Sequence, residues 1–343
     1  MSPARESAVS ENEERPQGQQ HEDGTPWENA VEREHQDDKP SQRARERDEK
    51  RLENFEEKQE HAEAVNEKEL PSRAAAVHER LRIDGDKELE RDAMALLWSA
   101  IAAGISMSAS MMARGLLHAH LPESNVGFLV ESMGYTLGFL IVILARQQLF
   151  TENTVTAVLP FMSHPTLNSL GRLLRLWGVV LVGNVFGAGL AAFTFLHLPM
   201  FSPEVSDAFV RIGEKVMEND PMSMFAKSIV AGWLIATMVW VLPAADQAKS
   251  WIILIMTYAV AIGEFPHIIV GASEILYLVF AGKLPWIDFF LHFGLPTLAG
   301  NIIGGTFIFA LISHAQIRND MDLQRHGRRG AWMFKHGPGG KRK

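Results

Sequence analysis

Residues 263–274 read GEFPHIIVGASE, with Gly263, Pro266 and His267 set inside a long apolar stretch. Proline removes a backbone donor and clashes with the preceding turn, so no unbroken helix runs through Pro266. Yet the surrounding window, 250–280, is long and apolar enough to cross a bilayer, which takes about 20 such residues. A second stretch, QQLFTENTVTAVLP at 147–160, interrupts another apolar window with polar Thr151, Glu152, Asn153 and Thr154. Irregular backbone at membrane depth survives only where protein or a water-filled path covers it. Two broken helices in matching places are the sequence sign of a transport path.

Six apolar windows lie near 93–119, 126–148, 172–198, 222–244, 250–280 and 288–315. They mostly lack the polar face that a helix at the surface of a soluble protein would show. The third and sixth share a signature, GNVFG at 183–187 and GNIIG at 300–304, offset by 300 − 183 = 117. Small residues four apart let helix backbones approach closely in lipid. Two copies imply duplicated halves of three spans, and an odd number of spans makes the halves inverted. The expected fold is an all-α membrane protein of six transmembrane helices, built as two inverted three-helix repeats with broken second and fifth helices. The distances 184 − 151 = 33 and 301 − 267 = 34 set Thr151 and His267 in near-equivalent places.

The ends differ in kind from the middle. Residues 1–72 are dense in Glu, Asp, Arg, Lys and Gln. They hold too little apolar surface to offset the entropy of ordering and read as a disordered cytoplasmic tail, with docking of a cytoplasmic partner as the functional alternative. Residues 73–92 carry a weak apolar face and read as a membrane-surface amphipathic helix. Residues 93–317 form the channel domain and 318–343 a basic cytoplasmic tail. Lys and Arg concentrate in that last tail, after the second span (Arg172, Arg175) and after the fourth (Lys249), which places both termini in the cytoplasm. The formal charge of −8 is thus a sum of unlike segments. No apolar core follows the first Met, so the first span is expected to target and anchor the chain. With no cysteine, disulfides, thiolate metal sites and a Cys nucleophile are excluded. No zincin, Walker or nucleophile-elbow motif occurs. The reading is therefore no enzyme, no primary pump, no cofactor, no metal and no nucleic-acid partner, with lipid as the surrounding phase.

His267 is the leading site residue, since an ionisable group inside a membrane is a functional hypothesis by default and imidazole exchanges protons near neutral pH. A donor at the narrow point can hydrogen-bond an anion or hand it a proton, and the uncharged acid crosses an apolar constriction at far lower cost. Against this stands a histidine that merely bonds its own helix's freed backbone. Thr151 is read as bonding His267 across the repeat axis, or as capping a half-helix that starts at Asn153 or Thr154. Glu152 is read as favoured at that half-helix's N-terminus. Tyr135 and Phe139, one turn apart, and Leu149, Phe150 and Val260, near the breaks, are candidate apolar gates. Packing against lipid or neighbouring helices is the plainer reading of each.

LFTENT at 149–154, GNVFGAG at 183–189, the FPH break at 265–267 and LPTLAGNIIGG at 295–305 together resemble the formate/nitrite transporter family over residues 90–317, and the charged N-terminal extension is similar to that of its YfdC-like branch. The resemblance implies a homopentamer in a bacterial inner membrane, with an aquaporin-like protomer and one pore per subunit. Its central histidine falls on His267, its loop threonine on Thr151 and its gates on Tyr135, Phe139, Phe150 and Val260. The chain departs from the family pattern at Ala236 and Gly271, where asparagines are expected, and near Asp220, where a lysine is expected. It also carries Glu131 one turn before Tyr135, on the outer approach, with Lys227 as a conceivable partner. The first reading is a channel for a small monovalent anion or its conjugate weak acid, passive or proton-coupled through His267. The others are a pore for small neutral solutes, favoured by Ala236, Gly271 and Glu131, and a non-transporting scaffold that acts through its N-terminal tail.

Overall fold

The computed structural model describes Lys50, residues 73–245 and residues 247–317. The segments read from sequence as tails, 1–72 apart from Lys50 and 318–343, lie outside them. Helix α1 (Arg73–Glu90) precedes α2 (Ala93–His120), whose N-cap Asp92 accepts hydrogen bonds from the N–H groups of Met94 and Ala95. Then come α3 (Asn125–Leu144), the short α4 (Phe150–Thr156) and α5 (Val158–Ser163), and α6 (Leu167–His197). Helix α7 (Pro203–Met217) joins this half to a second one, made of α8 (Pro221–Ala244), α9 (Lys249–Ile262), α10 (Ile268–Phe280) and α11 (Trp286–Ile317).

Five of these, α2, α3, α6, α8 and α11, are long and apolar enough to span a membrane, and the broken pair α9 and α10 supplies the remaining crossing. All described elements are helical, as the apolar windows require. The largest shift of an edge is at α6, which starts at Leu167 rather than near 172. Thr166 and Ser169 there form a reciprocal capping box, satisfying N–H groups that a helix start leaves without partners. Arg172 and Arg175 therefore sit on α6 rather than in a connection, and Arg175 donates to the carbonyls of Leu89 and Arg91 at the end of α1.

Close backbone contact organises both halves. A Cβ on Gly104 of α2 would stand 2.1 Å from the Asn184 carbonyl oxygen of α6, and one on Gly232 of α8 would stand 2.3 Å from the Asn301 carbonyl oxygen of α11. Only glycine permits such approach, so the same asparagine-bearing helix seats against the first helix of each half. Phe186, Val182, Trp251 and Ile312 face outward, each more than half exposed, as expected where lipid or a neighbouring subunit supplies the cover.

Helix α1 lies at the N-terminal end of α2, against α4 and α5, while α7 packs at the other end of α2, where Phe209 abuts Gly115. A Cβ on Gly85 of α1 would meet the Thr156 carbonyl oxygen at 2.0 Å. Two buried histidines also tie α1 to the last span, His78 Nε2 lying 2.9 Å from His314 Nδ1.

Candidate functional site

The two breaks are built alike, bond for bond. After Ala145 and Gly263 the chain turns through Arg146 (φ 52°) and Glu264 (φ 50°), at an offset of 264 − 146 = 118. Gln147 N–H donates to the Val142 carbonyl at 3.0 Å, and Phe265 N–H to the Val260 carbonyl at 3.1 Å. Extended Leu149 and His267 then open α4 and α10. The first N–H of each half-helix is held by the repeated asparagine: Phe150 N–H donates to Asn184 Oδ1 and Ile268 N–H to Asn301 Oδ1, both at 2.9 Å. The amide nitrogens of the same two residues donate to the Gln148 and Pro266 carbonyls, pinning the opposite side of each break.

This geometry corrects the register read from sequence. The equivalent of His267 is Leu149, not Thr151, because 267 − 149 is the same 118. The half-helix begins at Phe150, ahead of Asn153, and carries no side-chain cap, so Thr151 does not cap it. Glu152 does lie in its first turn.

His267 and Thr151 meet all the same. His267 Nδ1 accepts from the N–H groups of Ile269 and Val270 at 3.3 and 3.4 Å. That places the ring proton on Nε2, which donates to Thr151 Oγ1 at 2.7 Å. His267 thus serves its own helix through one nitrogen and the other half of the repeat through the second. Phe139 stands edge-on to the imidazole, with centroids 5.1 Å apart, and Tyr135 tilts over Phe139 at 5.5 Å.

A cavity of about 60 Å³ reaches His267 from the side of α7, away from α1, and its wall includes Tyr135, Val260, Pro266 and Glu274. Leu149, Phe150, Phe139 and Thr151 are buried but do not line it. Glu131, expected on its approach, stands behind the wall and holds Arg114, which does line it. Arg114 Nη2 lies 3.0 Å from Glu131 Oε1 and Nη1 3.0 Å from Glu274 Oε1, while His118 Nδ1 is 2.8 Å from Glu131 Oε2. The partner of Glu131 is therefore Arg114. Lys227 instead donates to Asn219 Oδ1 at 2.7 Å. Arg114 and Glu274 escaped the sequence reading, although each is a charge inside an apolar span, and that alone marks a residue for attention. Gly271, one turn beyond His267, faces the Phe293 ring, which would stand 2.5 Å from an added Cβ, and Ala236 is fully buried.

Residues 75–315 match the family model described as formate/nitrite transporter. The chain is 62% identical over 261 residues, 76% of its own length, to the inner membrane protein YfdC of Escherichia coli, of which it covers 84%. It is 27% identical to a formate-nitrite transporter of Plasmodium knowlesi, over 63% of this chain and 74% of that one. Among solved structures, a pentameric formate channel with formate bound superposes with a TM-score of 0.57 at 20% identity, covering 64% of this chain and 95% of that chain, which shows a shared fold. By its motifs, its paired breaks and this family match, the chain belongs to the formate/nitrite transporter family, whose members are membrane channels and transporters rather than enzymes.

Proposed function

We propose that the chain forms a pore for small monovalent anions that cross as their conjugate weak acids, with His267 at the narrow point. The observation that carries this reading is the hydrogen bond from His267 Nε2 to Thr151 Oγ1, which joins the two broken helices at the foot of the cavity. An acid arriving there can take the Nε2 N–H in exchange for Thr151 Oγ1, in an apolar surround of Phe139 and Val260, where a bare charge would be costly and a neutral acid is not. Thr151 orients the ring, and Tyr135, Phe139, Leu149, Phe150 and Val260 form apolar collars around it. The family membership and the formate-bound pentamer of like fold support this substrate class and a homopentamer with one pore per subunit.

The protein resides in the bacterial inner membrane, as its YfdC relative is named. The distribution of Lys and Arg favours both termini in the cytoplasm. On that orientation α1 lies on the cytoplasmic side and the cavity opens outward. Flux of formate, nitrite, acetate and lactate into liposomes tests the reading. His267→Ala should cut flux at least about tenfold, the effect of losing one oriented hydrogen bond of about 1.4 kcal/mol. Unchanged flux of every substrate rules the histidine role out.

A second reading, a pore for neutral solutes, is favoured by one feature: Phe293 packs against Gly271, so an apolar ring stands where the family pattern expects an amide. Swelling of liposomes in uncharged solutes, independent of pH, distinguishes it.

A further inference from the structure

The cavity above His267 carries a charge arrangement unsuited to holding an anion. Arg114 lines its wall, and both terminal nitrogens of its guanidinium are already taken, by Glu274 and by Glu131, each at 3.0 Å, which leaves only the buried Nε–H without a partner. The other lining cation, Lys215, is ion-paired with Glu264 at the same cavity. Two cations thus stand against three carboxylates, one of which, Glu131, also meets His118 Nδ1 at 2.8 Å. The Glu274 side chain is only 3% exposed and the Glu131 side chain 10%, so solvent screens them weakly and their field reaches an incoming ion with little loss.

A second observation marks the cavity as a binding place. Tyr135, 5% exposed, lines the same wall, and its hydroxyl has no hydrogen-bond partner in the protein. A buried hydroxyl left without a partner is costly, and a solute in the cavity would supply one. That solute must tolerate a carboxylate beside it, which an uncharged acid does, because its O–H can donate where an anion only accepts.

We propose that Glu274, held by Arg114 and Glu131, is a specificity-determining residue that turns carboxylate anions away from the outer cavity and admits their uncharged acids, with Tyr135 as the hydrogen-bonding contact. The proposal rests on the weak-acid reading of the pore and sharpens it. Discrimination here comes from placing a like charge against the wrong species. Glu131 acts through Arg114 as a positioning residue: its removal frees one arm of the guanidinium.

The full chain in liposomes, with formate at fixed total concentration, tests this through the pH profile and the current. Carboxylic acids ionise near pH ~4, so above that the uncharged fraction falls about tenfold per pH unit. Wild-type flux should follow that slope and carry no current. Glu274→Gln should add a current-carrying anion flux that flattens the slope and raises uptake about tenfold at pH ~7, while Glu274→Asp should keep the wild-type slope. Glu131→Gln, which lifts a negative charge without altering the cavity wall, should flatten the slope in the same direction and decides the matter should Glu274→Gln fail to fold. A wild-type flux that carries current and ignores pH overturns the filter but leaves the pore standing. Charge-neutral variants with the wild-type slope do the same. Absence of flux for every monocarboxylate in the wild type overturns the weak-acid reading and the filter with it.

Discussion

Arg146 and Glu264 adopt the same left-handed backbone turn, at φ 52° and 50°, 118 positions apart, and each ends the first half of a broken helix. Neither is a glycine, although a side chain in that region costs about 1–2 kcal/mol. The turn closes with the same hydrogen bond five residues back in both halves, so strain and satisfaction recur together.

Relieving that strain should stabilise the fold. Arg146→Gly is expected to raise stability by about 1 kcal/mol and Arg146→Val to lower it by about as much or more. Glu264→Gly should gain less, because it also removes the half-exposed Lys215 ion pair, a contact worth under about 1 kcal/mol. Thermal unfolding in detergent measures all three.

The asparagine tethers should be less forgiving. Asn184→Ala strips the Phe150 N–H and the carbonyls of Gln148 and Ala100 of their partner. Stranded buried groups cost about 1–3 kcal/mol each, so loss of the folded oligomer is expected, read by size-exclusion chromatography. Asn301→Ala should behave alike, since it bonds Ile268, Pro266 and Ser228 in the same manner. A large difference between the two would argue against equal roles.

Thr151 can be separated from its neighbours by a nearly isosteric change. Thr151→Val removes the acceptor for His267 Nε2 while keeping the volume, and flux should fall about tenfold, the equivalent of one hydrogen bond. Thr151→Ser should retain most of it. Equal flux in Thr151→Val and wild type would sink the orienting role.

Acid should loosen α1. Burial, and after it the neighbouring His314, hold His78 below the ordinary histidine range, to about 4, with Glu79 opposing and Arg82 adding slightly. The ordinary value of a free histidine is 6.5, so between those limits the undocked form binds more protons. Docking of α1 is therefore fully stabilised above about pH 6.5 and weakens as pH falls toward 4. Amide exchange of residues 73–90 should quicken on acidification, and His78→Leu should remove most of that dependence.

Much of this architecture was legible in the sequence because hydrocarbon imposes simple rules. Span lengths, the Pro266 break and the small residues beside Asn184 and Asn301 each follow from local composition, and the described helices fall within about five residues of the expected windows. The contact between Thr151 and His267 was also foreseen, though through a repeat register two residues out. Spacing to the asparagines gives 33 and 34 for those two residues, while the hydrogen bonds show that Phe150 and Ile268 are the tethered positions. What stayed hidden was long-range pairing. Arg114 is 17 positions from Glu131 and 160 from Glu274, and no local pattern joins them. Capping likewise escaped notice at α6, where the hydroxyls of Thr166 and Ser169 begin the helix a turn before its apolar face becomes evident.

Gly85 gives the seat of α1 a particular mechanics. Because α1 rests on the Thr156 carbonyl with bare backbone, there is no side chain between them to act as a bearing. Any methyl added at that point would wedge α1 away from the backbone of α4.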